Sequence, residues 1–233
     1  MSARSIVLKI MLVLVVLFTV SGSQPVDAQF LHPKIKSNET TIRKVVIMPA
    51  KVNVVRDSMK GPEGMAAESD DLSARAAKAV TEVLSRQKHI TTIEATEAPA
   101  EGDEQKYNVA DFQTRFDNLL PKIMKKRSDV KKGRFTMGDE VLNLNLHKEV
   151  DAVVFIRGSG QKLTSGKTAF RLLVGGGPPA YLMLQIGIVD ARNGEVLLYT
   201  DPALVGDPTT AVDRLRKALE KGFKKLPEVK VAP

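Results

Sequence analysis

Two short runs of consecutive apolar residues constrain the fold of this chain most. They are residues 45–48 (Val-Val-Ile-Met) and 152–156 (Ala-Val-Val-Phe-Ile). Continuous apolar runs of this length are typical of strands buried on both faces, because neither face keeps a polar position for solvent. Both faces of such a strand must be covered, so the sequence predicts an α/β protein with helices packed on its sheet.

The order of elements predicts how the sheet is built. After the first strand come a Gly- and Pro-containing loop, an amphipathic helix over residues 70–87 and a short strand over 90–93, which together indicate a βαβ unit. Segments 151–163, 168–174, 180–190 and 195–200 predict an antiparallel C-terminal meander, followed by a last helix ending at Pro227. We expect one α/β domain over residues 43–227 with a mixed sheet, a flexible lead-in over 29–42 and a tail over 228–233.

The N-terminus has the pattern of an export signal. Arg4 and Lys9 precede an apolar stretch over residues 10–20, and small residues follow it up to Ala28. The apolar core has the length of a signal peptide and is short for a membrane-spanning helix. We expect cleavage between Ala28 and Gln29 and a periplasmic or exported protein. The alternative is an inner-membrane anchor formed by residues 6–23.

Composition and motif spacing argue against most catalytic chemistry. The chain has no cysteine, which excludes disulfides, thiolate metal sites and N-terminal lipidation, and only three histidines. Residues 158–168 resemble a phosphate-binding loop but misplace its first glycine, so we expect a hairpin turn there. His147 and Glu149 are too few for a metal site, and the Gly- and Pro-rich segment 175–179 is predicted to be a hairpin loop. We therefore expect no catalytic residues, no metal and no cofactor.

Residues 122–134 are the most basic stretch of the chain and the best sequence candidate for a binding surface. Clustered cations attract anionic lipid heads, anionic cell-wall polymers or acidic partners. Export and the lack of interleaved aromatic residues argue against nucleic acid. The alternative interpretation is a solvated loop and helix end. The predicted anion-binding residues are Lys125, Lys126, Arg127, Lys131, Lys132 and Arg134.

Four segments together resemble a group of bacterial envelope proteins. They are 44–49 (Lys-Val-Val-Ile-Met-Pro), the helix 70–87, 150–156 (Val-Asp-Ala-Val-Val-Phe-Ile) and 185–196, which contains Asp-Ala-Arg-Asn-Gly-Glu. The group includes the periplasmic domain of the curli secretion channel, lipoprotein activators of peptidoglycan synthases and the N-terminal domain of the Tol system's periplasmic protein. The resemblance implies an α/β sandwich used for protein–protein assembly, with no catalytic motif to transfer.

These observations predict an exported, non-enzymatic accessory or assembly protein of the cell envelope. Its expected partners are envelope proteins, associated with the outer membrane or the cell wall, and further copies of the chain. One alternative is a module that binds anionic lipid or cell-wall polymer through residues 122–134. A hydrolase or nucleotide-using enzyme is the remaining alternative.

Overall fold

A computed structural model describes residues 29–87, 89–95, 109–139, 141, 149–174, 180–210 and 212–227. Three predicted features lie outside these residues: the signal peptide over 1–28, Ala28 of its cleavage site, and the tail over 228–233. The strands are β1 Gln29–Leu31, β2 Lys44–Ile47, β3 Lys51–Ser58, β4 Gly61–Gly64, β5 Thr91–Glu94, β6 Ala152–Leu163, β7 Tyr181–Asp190, β8 Val196–Thr200 and β9 Ala203–Val205. The helices are α1 Pro33–Lys36, α2 Ala66–Ser85, α3 Val109–Lys125, α4 Ser165–Val174 and α5 Val212–Phe223, with 3₁₀ helices at Arg127–Lys132 and Pro208–Thr210.

The nine strands of the described residues belong to one sheet, and this sheet is mixed, as the sequence predicted. Its order is β1-β8-β7-β6-β2-β5. The strand β2 is parallel to β5 and to β6, which confirms the βαβ start, and β6, β7 and β8 form the predicted antiparallel meander. Strand β3 continues along the same side of β6 after the interruption at Pro49, β4 forms a hairpin with β3, and β9 pairs with the first residues of β7.

Helices cover both faces of the sheet because the central strands are apolar on both. Val45 and Ile47 face a core shared with α2 and α5, whereas Val46 and Met48 face a second core shared with α3. In the second core the Phe116 ring stacks on the Phe155 ring, with 4.5 Å between centroids. The alternation of side chains along a strand therefore divides one apolar run between two cores.

The segment 29–42 corrects one prediction, because it contains regular structure where the sequence predicted a flexible lead-in. Strand β1 pairs antiparallel with β8, and Leu31 and Ile35 are buried in the core. His32 is the N-cap of α1, and its Nδ1 accepts a hydrogen bond from the backbone N–H of Lys34 at 3.2 Å. Three strand residues are too few for a periodic pattern, so only the pairing with β8 reveals this strand.

Helix α4 corrects a second prediction. The sequence predicted a hairpin turn over 158–168 and a strand over 168–174, but α4 begins at Ser165 and runs to Val174. Its first turn is supported by the Thr164 hydroxyl, which accepts a long hydrogen bond of 3.4 Å from the Lys167 N–H. The run of apolar residues at 172–174 had favoured a strand because a short run does not separate strand from helix.

Helix α2 begins at Ala66, earlier than the predicted start at residue 70, so Ser69 lies inside the helix. The Ser69 hydroxyl accepts a hydrogen bond from the N–H of Val54, and the Ser73 hydroxyl accepts one from the N–H of Val52, each at 2.9 Å. These two serines satisfy backbone donors of β3 that its neighbouring strands leave free.

Helix α3 passes through Pro121 and ends at Lys125, although a proline inside a helix removes one backbone hydrogen bond. The buried side of α3 is apolar both before and after the proline, from Phe116 to Ile123. Burial of this side outweighs the lost backbone hydrogen bond.

Candidate functional site

Large apolar side chains are exposed at one end of the sheet. Met59 follows β3, Phe170 and Leu173 belong to α4, which follows β6, and Val205 ends β9 opposite the first residue of β7. Strands β3 and β6 end on this side and β7 begins on it, so the four residues share one end. We call them the apolar end. Among the described residues, the fifth exposed large apolar side chain, Ile93, belongs to β5.

Helix α4 turns its cationic side toward the protein and its apolar side toward solvent. Lys167 and Arg171 are four residues apart and therefore lie on one side of the helix. Both pair with the carboxylate of Asp57, at 3.2 Å and 2.8 Å. Phe170 is 47% exposed and Leu173 is 85% exposed. This orientation is the reverse of the usual one for an amphipathic surface helix, whose apolar side faces the core.

Asp57 holds this orientation. Its side chain is almost completely buried, and besides the two cations it accepts a hydrogen bond from the Gln161 amide at 3.0 Å. A buried carboxylate requires such partners, because its desolvation is costly without them. Among the described side chains of α4, charge pairing rather than burial of apolar surface holds the helix in place.

A groove of about 510 Å³ lies between helix α3 and the strands β3, β6 and β7. Its floor includes Lys51, Arg157 and Gln185, and its wall is formed by α3 residues. The Arg157 guanidinium is buried and pairs through Nε with Asp117 at 2.5 Å. Gly158 lies beside it, and a side chain at that position would meet Leu184. The groove therefore has a polar floor, with the Arg157–Asp117 ion pair at one side.

The six cations of the predicted basic surface fall into two groups: four have charged groups that contact other described residues, and two form no ion pair with a described residue. Arg127 pairs with the buried Asp201 at 3.0 Å, and the Lys131 ammonium lies 5.2 Å from the centre of the Phe30 ring. Lys132 and Arg134 both pair with Asp129, at 3.2 Å and 3.6 Å. The hydrogen bond from Lys132 lowers the pKa of Asp129.

Lys125 and Lys126, at the end of α3, are exposed, and no ion pair joins them to another described residue. Four of the six predicted cations thus have contacts within the protein, of which the Arg127 pair ties the 3₁₀ helix to the end of β8. Two lysines remain as the open part of the predicted surface.

Other sequence candidates show no built site. Residues 175–179 and His147 lie outside the described residues. The segment 158–168 resembles a phosphate-binding loop, but its Lys167 is occupied by Asp57. The described part of the chain contains no group of three or more His, Asp or Glu side chains placed to hold a metal ion. No helix within the same part is long and apolar enough to span a membrane.

Sequence reasoning missed Asp57, Arg157 and Gln185. Each is a single polar residue in an otherwise strand-like segment, and its role depends on neighbours from other strands. The available signal was weak: Arg157 directly follows the apolar run of β6, and a charged side chain at such a position must be paired if it is buried.

No protein family matches the chain by sequence, and no curated protein matches it. Several solved structures show distant similarity, and three of them illustrate it. The PelC dodecamer from Paraburkholderia phytofirmans is 11% identical, with a TM-score of 0.36, covering 79% of this chain and 88% of that one. Lipoprotein GNA1162 from Neisseria meningitidis is 13% identical, with a TM-score of 0.31, covering 78% and 97%. The LpoB C-terminal domain from Salmonella enterica is 11% identical, with a TM-score of 0.25, covering 73% and 91%.

At these identities and TM-scores the similarity transfers no function to this chain.

Proposed function

We propose that this protein is an exported, non-enzymatic accessory protein of the cell envelope that assembles with a partner protein through its apolar end. The observation that carries the proposal is the reversed orientation of α4, which exposes Phe170 and Leu173 while its cations pair with Asp57. Exposed apolar clusters of this kind mark interaction sites, because leaving them in water has a free-energy cost that a partner removes.

The test uses a photoreactive residue at position 170 or 173 of the full chain in its native cells. A protein adduct at both positions is the expected result. The matched control is the same residue at Ile93, an exposed apolar position outside the apolar end, where no adduct is expected. Crosslinking to lipid alone, or equal adducts at position 93, would contradict the proposal.

A second test asks whether the exposed apolar groups provide the contact. In the double variant Phe170→Ser/Leu173→Ser the partner adduct, now recorded from a photoreactive residue at Met59, should disappear. The thermal unfolding temperature should remain close to that of the wild type, because both side chains face solvent. Ile93→Ser is the control and should leave the adduct at Met59 unchanged.

The second candidate function is binding of an anionic lipid or cell-wall polymer through residues 122–134. The observation in its favour is the pair of open lysines, Lys125 and Lys126, beside further exposed cations. Binding to vesicles containing anionic lipid should weaken with salt, because exposed charges are screened beyond about 10 Å at 0.1 M ionic strength.

Replacement of Lys125, Lys126, Lys131 and Lys132 by glutamine should abolish this binding. The control replaces four exposed lysines of α2, α5 and the turn after α5, namely Lys78, Lys217, Lys224 and Lys225, and has the same change in net charge. Equal loss in both variants would indicate attraction to net charge alone and would reject a site at 122–134.

A further inference from the structure

The floor of the groove beside α3 contains a row of polar side chains from three neighbouring strands. Lys51 of β3 lies opposite Arg157 of β6, and Arg157 lies opposite Gln185 of β7. Residues directly opposite in a sheet project on the same face at close spacing. Asn53, one step further along that face of β3, also lines the groove. The floor therefore presents an ammonium group, a guanidinium group and two amides to one space.

Gln185 has hydrogen-bonding capacity that the described protein does not use. The residue as a whole is 7% exposed, it lines the groove, and no hydrogen bond joins its amide to another described residue. The amide is not among the fully buried side-chain groups that lack a partner, so it reaches solvent in the groove. A ligand in the groove replaces that solvent as the hydrogen-bonding partner.

Arg157 also retains donors. Its guanidinium carries five N–H groups. They reach the Asp117 carboxylate, the Ile156 carbonyl at 3.0 Å and the Gln113 carbonyl at 3.5 Å. Two N–H groups of Arg157 are therefore left without a hydrogen bond to a described residue, and Gln185 is the residue opposite Arg157 on β7. The floor is thus richer in donors than in acceptors.

Apart from Asp117, the wall of the groove is apolar. Leu120, Pro121 and Met124 project into it from α3. The spacing of these three residues places them on one side of the helix, adjacent to the buried side. Pro121 adds a rigid apolar surface, and Met124 is an adaptable one. A ligand that fits this groove therefore combines an acceptor group with an apolar group.

We infer that the groove binds a carboxylate attached to a short apolar group. The charges favour a ligand with a single negative charge. Of the two cations that line the groove, Arg157 is already balanced by Asp117, and Lys51 forms no ion pair with a described carboxylate. The carboxylate oxygens accept from Lys51, Gln185 and the remaining N–H groups of Arg157. The apolar group packs on the wall. This site is separate from the apolar end and stands whether or not that end binds a partner.

The test is an NMR titration of the full chain with N-acetyl-leucyl-glutamate, monitoring the side-chain amide signals of Gln185 and Asn53 and the Arg157 Nε–H signal. These signals should shift together and saturate with a dissociation constant near 1 mM, as expected for a small ligand with few contacts. The matched probe, N-acetyl-leucyl-glutamine, lacks only the side-chain charge. To confine the comparison to that charge, both probes carry a C-terminal amide. The glutamine probe should bind at least tenfold more weakly.

Two variants locate the site. Lys51→Gln should weaken binding of the glutamate probe roughly tenfold, the loss expected for one hydrogen bond to a charged group. Gln185→Leu should weaken it by a similar factor. Replacement of the buried Gln185 also tests the fold, so the exposed Lys51→Gln variant is the decisive one for the location of the site. Lys60→Gln, an exposed lysine outside the groove, is the control and should change nothing.

The carboxylate has two sources, an acidic side chain of a partner protein or a free organic acid. A photoreactive residue at Met124 in native cells distinguishes them: a protein adduct indicates the first and a small-molecule adduct the second. Absence of a shift with the glutamate probe, equal binding of the two probes, or unchanged binding in Lys51→Gln would overturn the inference.

Discussion

At the scale of single residues, glycine is required where strands and helices approach closely. At Gly187 of β7, an added Cβ would lie 2.5 Å from Cε2 of Phe116. Phe116 is fully buried and stacked on Phe155, so it has no room to move. We expect Gly187→Ala to lower the free energy of unfolding by about 1–3 kcal/mol through overpacking, measured by urea denaturation.

Gly166 is the matched control for this substitution. It lies in the first turn of α4, and nothing is within 4 Å of an added Cβ. Gly166→Ala should raise the free energy of unfolding by up to about 1 kcal/mol, because alanine loses less backbone freedom on folding. If both substitutions had the same effect, the close approach at Gly187 would not be the cause.

Asp57 gives a second prediction at this scale. Asp57→Asn removes the charge that holds Lys167 and Arg171, so α4 should detach locally, seen as faster amide hydrogen exchange over residues 165–174. The cost should be about 2 kcal/mol or more, since each of two largely buried cations loses its ion pair with Asp57. Asp71→Asn, which removes an exposed i,i+4 pair with Arg75, should cost at most about 0.5 kcal/mol.

At the scale of elements, the attachment of β1 and α1 should depend on pH. Burial lowers the pKa of His32, while nearby Glu195, Asp190 and Glu39 raise it and Lys34 lowers it. The folded state therefore keeps His32 neutral where the unfolded chain, with an ordinary pKa near 6.5, takes up a proton. The stabilising contribution is complete above that pH and is lost progressively as pH falls below it.

His32→Asn retains a side chain that can cap α1 but does not titrate. We expect the wild type to lose stability between pH 7.5 and pH 5.5 more steeply than this variant, in urea denaturation at each pH. Parallel curves for the two proteins would show that His32 does not cause the pH dependence. The ion pair of Lys34 with Glu195, at 2.7 Å, is common to both and serves as an internal constant.

The sequence predicted correctly those elements whose own apolar pattern shows which of their sides must be buried. The apolar runs of β2 and β6 and the stripe of α2 require particular neighbours wherever they lie, so they were predictable. Strand β1 and helix α4 depend on distant partners, namely β8 and Asp57. Their sequences alone do not distinguish them from a flexible segment or a hairpin.

The same distinction applies to the candidate site. The basic segment was visible because its cations are consecutive, yet the structure uses Arg127, Lys132 and Arg134 for internal pairs. The groove was invisible because Lys51, Arg157 and Gln185 come from three separate strands. Their proximity is a property of strand register, which the sequence does not state.

At the scale of the whole molecule, β1 and α1 complete the sheet. A chain beginning at Arg43 would lose Leu31 and Ile35 from the core, each worth about 1.5–3 kcal/mol when buried, and would leave β8 as an open edge. We expect this truncated chain to unfold at a lower temperature and to aggregate in size-exclusion chromatography. A chain beginning at Gln29 is the control and should remain monodisperse with the unfolding temperature of the domain.

The long parallel pairing at the centre of the sheet also bears on the order of events in the cell. Val45 pairs with Ala152, so the central strands cannot join until β6 has been synthesised. Sheets built from such distant segments form slowly, because the entropy cost of closing a long loop comes before the stabilising contacts between the strands form. A chain proposed to leave the cytoplasm gains from this delay, since translocation through a narrow membrane pore requires an extended polypeptide. Slow sheet formation would then keep the chain unfolded long enough to be translocated.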